Sequence, residues 1–166
     1  MNNNQNKKDM KEKILEAFRD LGFKLEEEEG MGYCFNYEGL NLLYMYNESD
    51  EEFLNIALPG IVEVEEDRML QICALLEKIN STLKYVKTYM LGNSVWLFYE
   101  RELFGEEDLM TVISRMILHL EAGLVFARKA MAEIEETMAN DSSDDDTAES
   151  AEEIVAKEIA DDEDNE

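Results

Sequence analysis

Apolar residues recur at helical spacing in "DMKEKILEAFRDL", residues 9–21. Ile14, Leu15, Phe18 and Leu21 fall on one side, and Lys and Glu fill the other. Gly22 follows where a helix of this pattern ends. The period then drops to two. The runs "YCFNY" and "LNLLYMY" flank Glu38-Gly39, which reads as a two-residue hairpin turn. In that register Tyr33, Phe35, Tyr37, Leu40, Leu42 and Tyr44 share one face, and Cys34, Asn36, Asn41 and Leu43 share the other. After the polar "NESDEE", the run "FLNIALP" predicts a third strand, with Leu54, Ile56 and Leu58 on one side. Pro59, the only proline, and Gly60 are expected to stop it.

Helical spacing returns in "EEDRMLQICALLEKIN", with Met69, Ile72, Cys73, Leu76 and Ile79 as the stripe and acids in the first turn, as the helix dipole prefers. A second hairpin turns at Gly92-Asn93. Val86, Thr88, Met90, Val95, Leu97 and Tyr99 would share its core face. Tyr85, Lys87, Tyr89, Trp96, Phe98 and Glu100 would share the other, which mixes aromatic and charged groups. One long helix is predicted over about 106–138, its period kept from Leu109 through Ile134. At ~1.5 Å rise per residue it outruns a small sheet, so its far half is expected to meet a partner chain or to fray.

The order helix, three strands, helix, two strands, helix, with strands paired as hairpins, predicts an α+β fold on a five-stranded antiparallel sheet. We expect a disordered N-terminus over 1–8, a single domain over 9–138, and an acidic, disordered tail over 139–166, where ordering entropy outweighs what little apolar surface there is to bury.

Charge narrows the function classes. The 166-residue chain carries a formal net charge of −25. Its tail holds 13 acids and one Lys, which leaves 27 acids and 14 bases for the remainder. Both parts repel phosphate, so nucleic acid and anionic membrane are disfavoured partners, and basic or amphipathic proteins are favoured. No apolar h-region follows the first lysines, no apolar run approaches a membrane span, and two cysteines make no disulfide framework. A cytoplasmic protein is the expectation.

The sequence offers little for catalysis. The acidic runs "LEEEEG", "VEVEED" and "GEEDL" lack the spacing of a calcium loop and read as solvated surface. His119 is the only histidine, and Cys34 and Cys73 are unpatterned, so no metal site is expected and a Cys–His pair is a remote alternative. "GMGYCF" leads into a strand and is not a phosphate loop. We expect no catalytic residue and no cofactor. The candidate partner-binding group is Tyr85, Lys87, Tyr89, Trp96 and Phe98, because aromatics with a polar handle are enriched at interfaces. A covering helix would make the same residues ordinary core.

The order of elements, and the passage "ALLEKINSTLKYVKTYMLGNSVWLFYE" with Asn80 closing a helix and Glu100 ending an aromatic strand, resembles the YbjN domain family, described as bacterial sensory transduction regulators. The resemblance spans about residues 9–135. It implies the fold shared with type III secretion chaperones, including the Tir-chaperone group: small, acidic, dimeric proteins that hold client segments without ATP. It brings no catalytic residues. On these grounds the chain is expected to be a non-enzymatic protein-binding module, chaperone-like or regulatory, and a homodimer. A homo-oligomeric structural adaptor is the alternative, with an enzyme behind it.

Overall fold

A six-stranded antiparallel sheet, ordered β1-β2-β3-β4-β6-β5, carries three helices on one face in the computed structural model of the chain. The model describes the backbone of residues 3–163 and the side chains of residues 10–140. Along the chain the elements are α1 (Asn3–Asp20), β1 (Glu26–Glu28), β2 (Gly32–Tyr37), β3 (Leu40–Met45), β4 (Phe53–Glu63), α2 (Met69–Thr82), β5 (Val86–Leu91), β6 (Ser94–Glu102) and α3 (Leu109–Glu163). The α+β class and the antiparallel hairpins follow the sequence pattern. The sixth strand does not. β1 lies inside "LEEEEG", pairs with β2 and is exposed throughout, so no apolar alternation marks it. The disorder expected over 1–8 and 139–166 falls, except for Ala139 and Asn140, on side chains outside the described residues.

One core lies between sheet and helices. Ile14 and Phe18 of α1, Ile72, Leu75 and Ile79 of α2, and the stripe from Val112 to Met131 of α3 cover Leu42, Tyr44, Leu54, Ile56, Val95 and Leu97. Phe18 is the hub of the α1 end, with ring centroids 4.9 Å from Phe35 and 5.5 Å from Tyr44. The buried stripe of α2 differs from the expected one. Leu75 is buried, whereas Met69 and Cys73 face solvent. Ion pairs Lys78–Glu133 (2.6 Å) and Arg68–Glu135 fasten α2 to α3. Of the described helices, the Leu109–Asn140 part of α3 is long and apolar enough to cross a membrane by length and composition. In this fold its apolar stripe packs on the sheet and on α2.

Pro59 and Gly60 do not end the third hairpin strand, as the sequence suggested. β4 pairs with β6 on both sides of them: Leu58 faces Leu97, and Val62 faces Val95. The intervening residues form a bulge, the one setting in which a central strand tolerates proline. Where β2 begins, Gly32 adopts φ +138°, and a Cβ there would sit 2.0 Å from the Tyr44 carbonyl oxygen. The expected turn at Glu38-Gly39 has φ +46° and +84°, both positive as a type I′ turn requires.

Candidate docking face

Among the described residues, no helix side chain joins the second face of the sheet in a common core. One row of residues crosses it from β2 to β5: Cys34, Leu43, Ala57, Phe98 and Lys87, each directly opposite the next. Leu43, Ala57 and Phe98 are buried, yet none belongs to the core beneath the helices. For Phe98, rings on the same face supply the cover. Phe98 lies between Tyr89, stacked at 4.0 Å and 4°, and Trp96, at 6.0 Å and 14°. Cross-strand aromatic pairs of this kind add to stability beyond the area they bury. Phe98 is therefore 0% exposed, while Tyr89 stays 41% exposed and Trp96 half-buried. The Trp96 Nε1 donates to Ser94 Oγ at 2.9 Å. Burial first, then the Glu100 carboxylate, raise the Tyr89 phenol above its ordinary pKa, against a lowering by Lys87.

A polar row runs beside the aromatic one. Lys87 pairs with Glu100, whose other oxygen accepts from Asn55 Nδ2 at 2.9 Å. Asn55 Oδ1 is buried without a hydrogen-bond partner. Past this row the face runs into a hollow of about 490 Å³ lined by Met31, Met45, Phe53, Asn55 and Glu100. Met31 and Phe53 are exposed there. Neither stood out in the sequence, because each sits at the end of a run, where alternation gives no assignment.

Of the five residues singled out in the sequence, the structure groups Lys87, Tyr89, Trp96 and Phe98. Tyr85 lies elsewhere. It precedes β5 and is not bound by strand alternation; it stacks on Tyr99 at 5.8 Å and meets His119 of α3 edge-on at 5.1 Å. Cys34 and His119 are on opposite sides of the sheet. Burial, then Glu28 and Glu26, raise the Cys34 thiol pKa, away from thiolate character. Among the described residues, no group of three His, Cys, Asp or Glu side chains could hold a metal.

At the outer edge of β5 a side chain caps one residue. Asn80, near the end of α2, donates from Nδ2 to the Thr88 carbonyl at 2.9 Å and accepts the Thr88 N–H on Oδ1 at 2.8 Å. The Thr88 hydroxyl donates to the Trp96 carbonyl at 2.8 Å. The opposite edge is β1, three glutamates long.

No family model and no curated protein matches the chain. Solved structures that share its fold include two of differing origin. One is YbjN from E. coli, described as "a putative transcription regulator": TM-score 0.55, 14% identity, with 71% of this chain and 90% of that chain covered. The other is an uncharacterized protein from Methanothermobacter thermautotrophicus: TM-score 0.51, 17% identity, with 77% and 98% covered. The chain thus has a YbjN-like fold, and at these identities the likeness extends to the fold alone.

Proposed function

We propose that the chain is a non-enzymatic protein-binding module, chaperone-like or regulatory, that holds a segment of a partner against the uncovered face of its sheet. The observation that carries this reading is the aromatic cluster itself. Tyr89 and Trp96 remain accessible around a buried Phe98, on a face that no described helix side chain covers. Such a contiguous apolar patch, rimmed by charge, is the usual mark of an interaction surface. Tyr89, Trp96 and Lys87 make the contact, and Phe98 supports it from beneath. A regulatory role of the kind named for YbjN would run through protein, because a chain of charge −25 repels nucleic acid. A cytoplasmic setting suits this reading.

The test is capture by the tagged full-length chain and by a Tyr89→Ala/Trp96→Ala variant of matched melting temperature. A stoichiometric protein held by the first and lost by the second supports the module. Equal retention by both places the contact elsewhere.

A homodimer is a second reading, favoured by one observation. Leu118 and Val125 of α3 are 53% and 64% exposed and fall on one helix side. Leu118→Arg/Val125→Arg would then yield a smaller particle by sedimentation. An unchanged mass removes this seam.

A further inference from the structure

We infer that the occupant of the uncovered sheet face is a basic amphipathic helix. The inference rests on the binding reading above and names the class of partner. The first argument concerns backbone groups. An extended segment gains affinity by adding to an open sheet edge. At β5 the Thr88 N–H and C=O are both taken by Asn80. At the other edge β1 offers three residues. The face between the edges presents side chains and no free peptide groups. A segment lying on it must satisfy its own backbone, and a helix does so within itself.

Dimensions agree. Leu43, Ala57 and Phe98 sit on three adjacent strands, so the apolar strip is about 10 Å wide at ~4.8 Å per strand. That matches the ~10 Å diameter of a helix. β6 has nine residues, about 30 Å at ~3.3 Å each, which spans roughly 20 residues of helix at ~1.5 Å rise; on this face it presents Trp96 and Phe98 between Ser94 and the carboxylates of Glu100 and Glu102, so such a helix would meet rings in its middle and acids at one end.

Charge selects the helix. The strand pairings put Glu26, Glu28, Glu63, Glu100 and Glu102 on this face with Lys87, which already pairs with Glu100, and Lys24 lies beside Glu26 and Cys34 at the β1 end, so carboxylates outnumber cations there. An apolar strip between carboxylates complements Leu-like residues flanked by Lys or Arg. A second copy would bring the same carboxylates into opposition, and the chain's own segment 139–166 carries 13 acids. Both are repelled.

The sole tryptophan, Trp96, lies in the strip and reports occupancy directly. The probes are three synthetic peptides of about 18 residues added to the full-length chain: a Leu/Lys amphipathic helix, the same composition interrupted by prolines, and a Leu/Glu helix. The Leu/Lys helix is expected to blue-shift Trp96 emission saturably and to gain helical circular dichroism, whereas the Leu/Glu helix leaves both unchanged. Glu26→Lys/Glu102→Lys, two exposed positions, is expected to weaken binding at least tenfold at unchanged melting temperature. Equal binding of the proline peptide would overturn the helix while leaving the protein-binding reading intact. If no peptide binds, the inference falls, and the capture experiment above decides the protein-binding reading separately. Binding that leaves Trp96 silent and ignores the two charge reversals places the peptide on the acidic segment 139–166, which also overturns the inference.

Discussion

The carboxamide of Asn80 pairs with the backbone of Thr88 as a neighbouring strand would, filling both its N–H and its C=O. A free sheet edge is a template for unwanted pairing, and here a side chain from α2 blunts it. Asn80→Ala is expected to cost about 1–3 kcal/mol, because two partly buried backbone groups lose their partners. It should also cause concentration-dependent association, measurable by light scattering. Asn80→Asp separates the two groups, since a carboxylate accepts from Thr88 N–H but cannot donate to its carbonyl. Full stability in both variants would show that the pairing is incidental.

The aromatic cluster divides into support and contact. Phe98→Ala removes a fully buried ring, and a loss of about 3–5 kcal/mol is expected in chemical denaturation. The sequence alone grouped Phe98 with the candidate partner-binding residues; its burial between Tyr89 and Trp96 predicts that alanine there melts the fold. Tyr89→Ala, at an exposed ring, should leave stability within about 1 kcal/mol.

Gly32→Ala is a backbone test. The added Cβ would overlap the Tyr44 carbonyl, and a main-chain atom in a paired strand cannot swing aside as a side chain can. Positive φ adds strain of its own. We expect a loss of more than about 2 kcal/mol, read as a lower denaturation midpoint with unchanged slope. A near-neutral alanine would mean that β2 can begin one residue later.

Acid should act at the start of α3. Glu107 accepts the N–H groups of Phe104 and Gly105, each at 2.9 Å, and pairs with Arg101 at 3.1 Å. Those backbone bonds, Phe104 first, lower its pKa. Asp108 is lowered first by the Thr111 hydroxyl at 2.6 Å, then by the backbone N–H groups of Thr111 and Met110. A folded-state pKa below the unfolded value adds stability that is present above the ordinary carboxylate range and lost as pH falls through the folded-state value. The melting-temperature gap between wild type and Glu107→Gln/Asp108→Asn should therefore narrow from about pH 7 to about pH 3. Comparing the two chains cancels most of the change in global charge. A constant gap would assign the effect to shape rather than ionisation.

Much of this fold is legible along the chain. Period and turn residues locate three helices, two hairpins and the strip holding Trp96, and the two positive φ values at Glu38-Gly39 are what a two-residue turn asks for. What escapes has local physical causes. β1 is held by backbone pairing and buries none of its side chains, and four successive glutamates give no alternation. Pro59-Gly60 reads as a stop because a bulge is visible only once the β6 partner is known. On α2, Leu75 lies about 60° around the helix from Ile72 and Cys73 about 100°, on the other side, so a stripe through Ile72 and Ile79 takes in Leu75 and leaves Cys73 out. Phe98 is buried by rings from its own face, so its burial does not follow from the presence or absence of a covering layer.

The strand order has a consequence for the ribosome. β6 is the last strand to be made, yet it lies between β4 and β5, and its ladder with β4 is the longest in the sheet. The helix stripe that seals Ile56 and Leu97 follows later still, from Val112 to Met131. A nascent chain can form the β1–β4 meander early, but it cannot close its core until Met131 has been synthesised. The acidic segment 139–166 emerges just after the core becomes able to close, so its charge arrives as the exposure of uncovered apolar surface is ending.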